Sequence, residues 1–243
     1  MVRRSLACAL VAICASAATL SIAHAQTRAV IELFTSQGCS SCPAADKLIG
    51  ELAAADPSLV SISLPIDIWD YLGWKDTLAD PRHSARQRAY SKVRGDREVY
   101  TPQVVVNGAY HVLGSDKAAI EHVIAKSRQN PATLSVPVTL SVGGGRLAIT
   151  LAERGDAPAE VWVLGLAKAV TVAIKRGENK GKTITYHNVA RSWLRLDPSN
   201  GKTFTVPVDK IEGEGVSSAA VLVQSGTPER PGLILGAAMA SLR

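Results

Sequence analysis

The spacing of apolar residues changes several times along the chain, and each change marks an element. Ala29-Val-Ile-Glu-Leu-Phe34 is an almost unbroken apolar run and predicts a strand. Over 43–55 the apolar residues Ala44, Leu48, Ile49, Leu52 and Ala53 recur every three or four positions, which predicts a helix. Pro43 suits its first turn, where a missing N–H costs nothing, and Asp56-Pro57 stops it. Residues 59–66 alternate apolar with small polar side chains, a second strand. The right-handed strand–helix–strand rule makes it parallel to the first. After Asp80-Pro81, residues 81–93 predict a basic helix carrying Arg82, Arg86, Arg88 and Lys92, with Arg94 just beyond, a pattern that reads as a solvated face. Asn107-Gly108 between two apolar runs predicts a type I′ hairpin. Pro102 stands at the start of its first strand, one of the few strand positions that tolerate proline. Gly114-Ser115-Asp116 then leads into a helix over 117–127.

Past a linker, Asn130-Pro131-Ala132-Thr133, the pattern predicts strands only: 134–142, 146–153, 159–173, 182–196, 203–208 and 218–224. Turns are expected at Gly143 to Gly145, at Gly155-Asp156, over 198–201 and over 213–215. Such spacing predicts an antiparallel sandwich of six or seven strands, with 233–239 closing its sheet or packing on the first half. The polar stretch 175–182 reads as a hairpin tip in which Asn179 and Gly181 adopt positive φ. Its glycine and lysine spacing does not match a phosphate loop, and no helix follows. The alternative for this arm is that it leans over the cysteines and completes a cleft.

Residues 1–25 stand apart from the fold. Arg3 and Arg4 precede an apolar stretch over 6–22, and Ala23-His24-Ala25 is a small-x-small cleavage site. This is the pattern of a secretory signal peptide cut after about Ala25, and it predicts a secreted or periplasmic protein. Beyond it no apolar run is long enough to span a bilayer. Losing Arg3 and Arg4 lowers the net charge from +6 to +4. No basic run interleaved with aromatic residues stands out, so nucleic acid is not an expected partner.

The leader also takes Cys8 and Cys14, leaving Cys39 and Cys42. One pair does not make a disulfide scaffold. These two lie where the first strand turns into the first helix, in Phe34-Thr-Ser-Gln-Gly-Cys39-Ser-Ser-Cys42-Pro43. A helix N-terminus favours a thiolate, the attacking species in disulfide exchange. The spacing lets the second sulfur resolve a mixed disulfide formed on the first. A structural bond across so short a loop would stabilise little. Two other readings remain: an inert clip in a binding or interaction protein, and a metal (copper) handling site on the same cysteines. The second lacks an obvious histidine partner, because His83, His111, His122 and His187 form no close pair. His83 and His122 are expected on helix surfaces. Between the second strand and second helix, Trp69, Tyr71 and Trp74 alternate with Asp67, Asp70 and Asp76. They either cover an edge of the fold or form an aromatic wall that contacts substrate.

A strand ending at C-x-x-C, a strand and helix, Thr101-Pro102 before a hairpin and a closing helix together resemble the thioredoxin fold. The resemblance implies Cys39 as nucleophile, Cys42 as resolving cysteine and Pro102 as a cis-proline facing them. Thr101 would then offer backbone groups to an extended peptide. It also implies a buried acid under the disulfide, for which Glu32 and Asp67 are the candidates. The Gly38 and Ser40-Ser41 that surround the cysteines depart from the thioredoxin motif. Glu-Leu-Phe-Thr-Ser-Gln-Gly-Cys-Ser-Ser-Cys-Pro, Trp-Asp-Tyr-Leu-Gly-Trp and Tyr-Thr-Pro-Gln-Val-Val-Val-Asn-Gly are similar to a family of secreted bacterial thioredoxin-like proteins of unassigned function, from Val30 to about Gly236. The expectation is therefore an α/β thioredoxin-like domain over 26–129, a linker over 130–133 and an all-β sandwich-like domain over 134–243. The expected activity is an exported thiol–disulfide oxidoreductase without organic cofactor. It would act on protein or small-molecule thiols and disulfides and be recycled by an unidentified redox partner.

Overall fold

The computed structural model describes residues 26–153, 159–197 and 202–242. The expected leader and the turns at Gly155-Asp156 and 198–201 lie outside the described residues.

The first half runs β1 (Ala29–Thr35), α1 (Cys42–Ala55), β2 (Leu59–Pro65), α2 (Pro81–Arg94), β3 (Gln103–Val106), β4 (Tyr110–Leu113) and α3 (Lys117–Ser127). The second half is β5 (Val138–Gly143), β6 (Arg146–Leu151), β7 (Ala159–Ala173), β8 (Thr183–Leu196), β9 (Thr203–Pro207), β10 (Val216–Thr227) and β11 (Arg230–Ser241). Local chemistry explains several boundaries. Asp80 and Asp116 accept the first free N–H groups of α2 and α3, from Arg82 at 2.8 Å and Ala119 at 2.9 Å. Asn107 and Gly108 both take positive φ, 49° and 70°, as the turn between β3 and β4 requires.

The expected fold class is corrected by how these strands pair. The molecule is mostly β and is not an α/β thioredoxin-like domain followed by a sandwich. Eight strands form one mixed sheet in the order β11-β10-β7-β8-β2-β1-β3-β4, and β5, β6 and β9 form a smaller one. The first and second halves thus share a sheet. The seam is β2 against β8, parallel, in register at Ser63 and Val189. Ser63 donates its hydroxyl to the His187 carbonyl at 2.7 Å, and Asn188 Nδ2 donates to Ser61 Oγ at 2.9 Å. Gly50 of α1 is required here, because a Cβ on it would meet the His187 ring at 2.4 Å.

The alternation of β1 sorts the layers. Ile31 and Leu33 pack with Leu48, Ile49, Leu52 and Ile120, so α1 and α3 cover that face. Val30 and Phe34 point the other way, into a core with Leu64, Tyr90, Leu166, Leu222 and Ile234. That core draws on both halves because the sheet curls back on itself. Ile234 N donates to the Asn107 carbonyl at 3.0 Å, which brings β11 to the β3–β4 turn. The small sheet covers the opposite face of β7 and β10 through Leu147, Ile149, Val161, Val163 and Val221.

The reading of α2 as solvated needs correction on one side of the helix. Arg86 is buried, and its guanidinium holds both oxygens of the buried Glu32 at 2.6 and 3.1 Å. Tyr90 Oη also donates to Glu32, at 2.6 Å, and Gln224 of β10 bonds both Arg86 and Tyr90. A buried carboxylate is tolerated only with such a set of donors. His83 is fully buried rather than on a helix surface.

Candidate functional site

β1 ends at Thr35 and α1 begins at Cys42, so the six residues between them turn the chain through a tight corner. Cys39 N donates to Ser36 O at 3.1 Å, and Cys42 N donates to Cys39 O at 3.2 Å. Cys39 and Cys42 are joined in a disulfide, their Cα atoms 5.4 Å apart. Both are buried, Cys42 at 0% exposure and Cys39 at 4%, while Ser40 and Ser41 are exposed. Ser41 Oγ lies 3.4 Å from Cys39 Sγ.

The corner is gripped from three directions. Gln37 N donates to the Asp76 carboxylate at 2.7 Å. Gln37 Oε1 accepts from Trp74 Nε1 at 2.8 Å. Asn179, at the tip of the β7–β8 hairpin, donates Nδ2 to the carbonyls of Gln37 at 2.9 Å and Cys39 at 2.7 Å. The hairpin tip therefore does contact the cysteine corner; Asn179 is buried there and does not take the expected positive φ, which falls to Gly177 and Gly181, at 74° and 84°. Gly38 lets the corner pass close to Trp69, since a Cβ on Gly38 would sit 2.8 Å from Trp69 Cβ.

The other expected site residues fall into two groups. Thr101 Oγ1 accepts from Trp69 Nε1 at 2.8 Å, and the Thr101–Pro102 bond is cis. Trp69 and Tyr71 pack at 6.1 Å between ring centroids, with Tyr71 74% exposed. Of these residues, Trp69 lies against Gly38, and Thr101 and Tyr71 contact Trp69. Trp74 turns instead to Gln37 and lies against Gly177 of the hairpin tip. The three aromatics thus form a braced pair and a separate prop.

The buried acid is neither Glu32 nor Asp67. Glu32 is held by Arg86 on the opposite sheet face, and Asp67 is exposed and accepts from Ser84. The residue in question is Asp46, one turn of α1 beyond Cys42 and 1% exposed. Its Oδ1 accepts from Thr35 Oγ1 at 2.8 Å, and its Oδ2 has no partner among the described residues. Burial pushes its pKa up to about 8, outweighing the opposing bond from Thr35, with a smaller upward push from the Asp76 charge. The carboxyl is therefore largely uncharged at neutral pH. Tyr186 Oη, also buried and without a partner among the described residues, is held protonated chiefly by burial, and negative charge on Asp46 or Asp76 adds to that. The signal for Asp46 was present in the sequence: Cys42, Asp46 and Ile49 stand at i, i+4 and i+7, which places an acid on the apolar stripe of a helix.

The only grouping of potential metal ligands among the described residues is Asp96, Glu98 and His111, whose ligand atoms lie within 4.8 Å of one another. It includes neither cysteine, and Asp96 is already paired with Arg94 at 2.8 Å. No helix among the described residues is long and apolar enough to cross a membrane.

With this geometry in place, the chain can be compared with known proteins. No curated protein matches it. A crystal structure of a protein from Agrobacterium tumefaciens is similar, with a TM-score of 0.76 and 30% identity over 91% of this chain and 97% of that one. The model of one family, described as protein of unknown function (DUF1223), matches residues 30–224, which takes in the cysteine corner, the aromatic segment and the hairpin tip. The chain belongs to this DUF1223 family.

Proposed function

We propose that Cys39 and Cys42 form a redox-active pair, and that the protein is an exported thiol–disulfide oxidoreductase acting on protein or small-molecule thiols. The observation that carries this reading is the uncharged, half-partnered Asp46 carboxyl one helical turn from a disulfide that closes a three-residue separation. A bond across so short a loop adds little to stability. An unpaired buried polar oxygen costs about 1–3 kcal/mol. Neither feature serves the fold well, and both serve proton-coupled sulfur exchange.

In the oxidising direction a substrate thiolate attacks Cys39 Sγ. The Cys39–Cys42 bond breaks, its electron pair stays on Cys42, and that sulfur takes the Asp46 proton. A second substrate thiolate then attacks the mixed disulfide, the substrate disulfide forms, and Cys39 leaves as thiolate. In the reducing direction the same steps run backwards, with Asp46 accepting the proton of Cys42. The helix dipole at the start of α1 favours the Cys39 thiolate in either case. The sequence pattern of residues 1–25 supports export, where a disulfide persists.

The 4% exposure of Cys39 favours a second reading, an interaction protein with an inert clip. Equilibration in graded reduced and oxidised glutathione, with alkylation and mass readout, separates the two. A reversible transition at roughly −120 to −270 mV, with Cys39 the first sulfur to be alkylated, is the expected result. A bond that stays oxidised across the whole range in the folded protein overturns the redox reading and leaves the clip.

A further inference from the structure

A groove of about 430 Å³ lies between α2 and the indoles of Trp162 on β7 and Trp193 on β8, on the sheet face opposite α1. Its shape follows from the sequence of α2. Ala85 and Ala89, one turn apart, are the small residues on the helix face that looks onto the indoles, and they leave the space open. The two indoles stand edge to face, 5.8 Å between centroids and 81° between planes. Trp193 is fixed from behind, where its Nε1 donates to His83 Nε2 at 3.2 Å, and Arg86 lies over its ring at 5.4 Å. The floor is therefore apolar, aromatic and rigid.

The rim is cationic. Arg82, Arg88 and Lys92 line it, all exposed, against one carboxylate, Glu229. Arg82 is engaged by Asp80, whereas Arg88 and Lys92 have no ion-pair partner among the described residues. Two unpaired cations beside an apolar aromatic floor are complementary to one kind of ligand. Volume and composition fall in the range of small-molecule sites, which combine an apolar lining with a few polar groups that orient the ligand.

We infer that this groove binds a small amphipathic anion, an apolar ring-sized body carrying one acidic head. The body lies against Trp162, Trp193 and the two alanines, and the head meets Arg88 and Lys92. The site does not use the cysteines, so it stands whether or not Cys39 and Cys42 exchange disulfides.

The test uses the purified protein and two probes that differ only in charge, 2-naphthoate and 2-naphthylmethanol, titrated by calorimetry. The expected result is binding of naphthoate at least about tenfold tighter than the alcohol. Arg88→Gln with Lys92→Gln brings naphthoate down to the level of the alcohol, as does raising the salt, because a screened rim no longer selects charge. Ala85→Leu, on an exposed helix position that accepts leucine, fills the groove and abolishes binding of both probes while circular dichroism and the thermal melt stay as in the parent. Failure of naphthoate to bind the parent protein, equal affinities for the two probes, or binding that survives Ala85→Leu in a folded protein would each overturn the inference.

Discussion

Replacing Asp46 by Asn tests the site through its effect on stability. In the folded protein this carboxyl loses its proton only near pH 8, while an exposed aspartate does so near 3.8. Between those values the native state holds a proton that the unfolded chain has released. Stability therefore falls as pH rises through that window. Each pH unit crossed is worth about 1.4 kcal/mol, so the penalty reaches about 2 kcal/mol at pH 5 and about 4 kcal/mol at pH 7. Asn keeps an oxygen for the Thr35 hydroxyl and carries no charge to desolvate. The variant should therefore gain on the parent as pH rises, by about 3 kcal/mol between pH 5 and pH 7.

Urea unfolding with the disulfide kept oxidised measures this directly. The two proteins should have the same dependence of stability on urea, and their midpoints should separate progressively with pH. A constant offset would reflect only how well the amide fits. If the two pH profiles run parallel between 5 and 8, Asp46 is not a buried neutral acid and the argument for its role fails. The same variant ties stability to function, because an amide can neither give Cys42 a proton as the disulfide opens nor take it back as the disulfide closes. Exchange with a dithiol at pH 7 should slow even as the fold becomes more stable, by about a hundredfold if acid–base assistance of ordinary size is lost.

Three other perturbations probe the frame around the site. Glu32→Gln leaves the Arg86 guanidinium buried without its counter-charge, and the urea midpoint should report a loss of about 3–5 kcal/mol. His83 Nδ1 can only donate to the Pro65 carbonyl, at 2.8 Å, so Nε2 must accept from Trp193 and stay unprotonated; burial lowers its pKa to about 4, opposed by the Pro65 bond and the Asp80 charge and assisted by the Arg82 and Arg86 charges. Stability should therefore be lost as pH falls from about 6.5 to about 4, by about 3 kcal/mol, and His83→Gln should flatten that limb in an acid titration followed by tryptophan emission. Asn179→Ala removes two donors from buried carbonyls of the cysteine corner, and the rate of reduction by dithiothreitol should rise at least about fivefold while the global unfolding transition moves little.

Elements were more legible than pairings. The helix over 117–127 and the strand over 159–173 fall where the apolar spacing puts them, because each buries a face whose period is set locally. The β2–β8 seam had no such signature. It rests on one register pair, Ser63 with Val189, and on hydroxyl and amide bonds from Ser61, Ser63 and Asn188, polar residues that look like ordinary strand alternation in one dimension. A sandwich was the reasonable expectation for strands that pair among themselves, and the chain instead joins its second half to an edge of the first. The burial of Arg86 was hidden for a related reason, since the carboxylate that neutralises it lies 54 residues before it and Gln224 lies 138 residues after it.

The corner itself shows why a reading confined to the cysteine motif stops short. C-x-x-C locates the sulfurs, but their setting is supplied from elsewhere. Asp76 holds Gln37 from the aromatic loop, and Asn179 holds the Gln37 and Cys39 carbonyls from a hairpin 140 residues away. Asn179 can reach them because β8 is anchored to β2, and the same seam places Tyr186 near Asp46. The strand pairing that overturned the expected architecture is thus what brings the second half to the disulfide. The backbone of the cysteine corner is thus held by the far half of the chain, and under the proposed function release of the Asn179 bonds should make Cys39 easier to reach, which the dithiothreitol rate of Asn179→Ala measures.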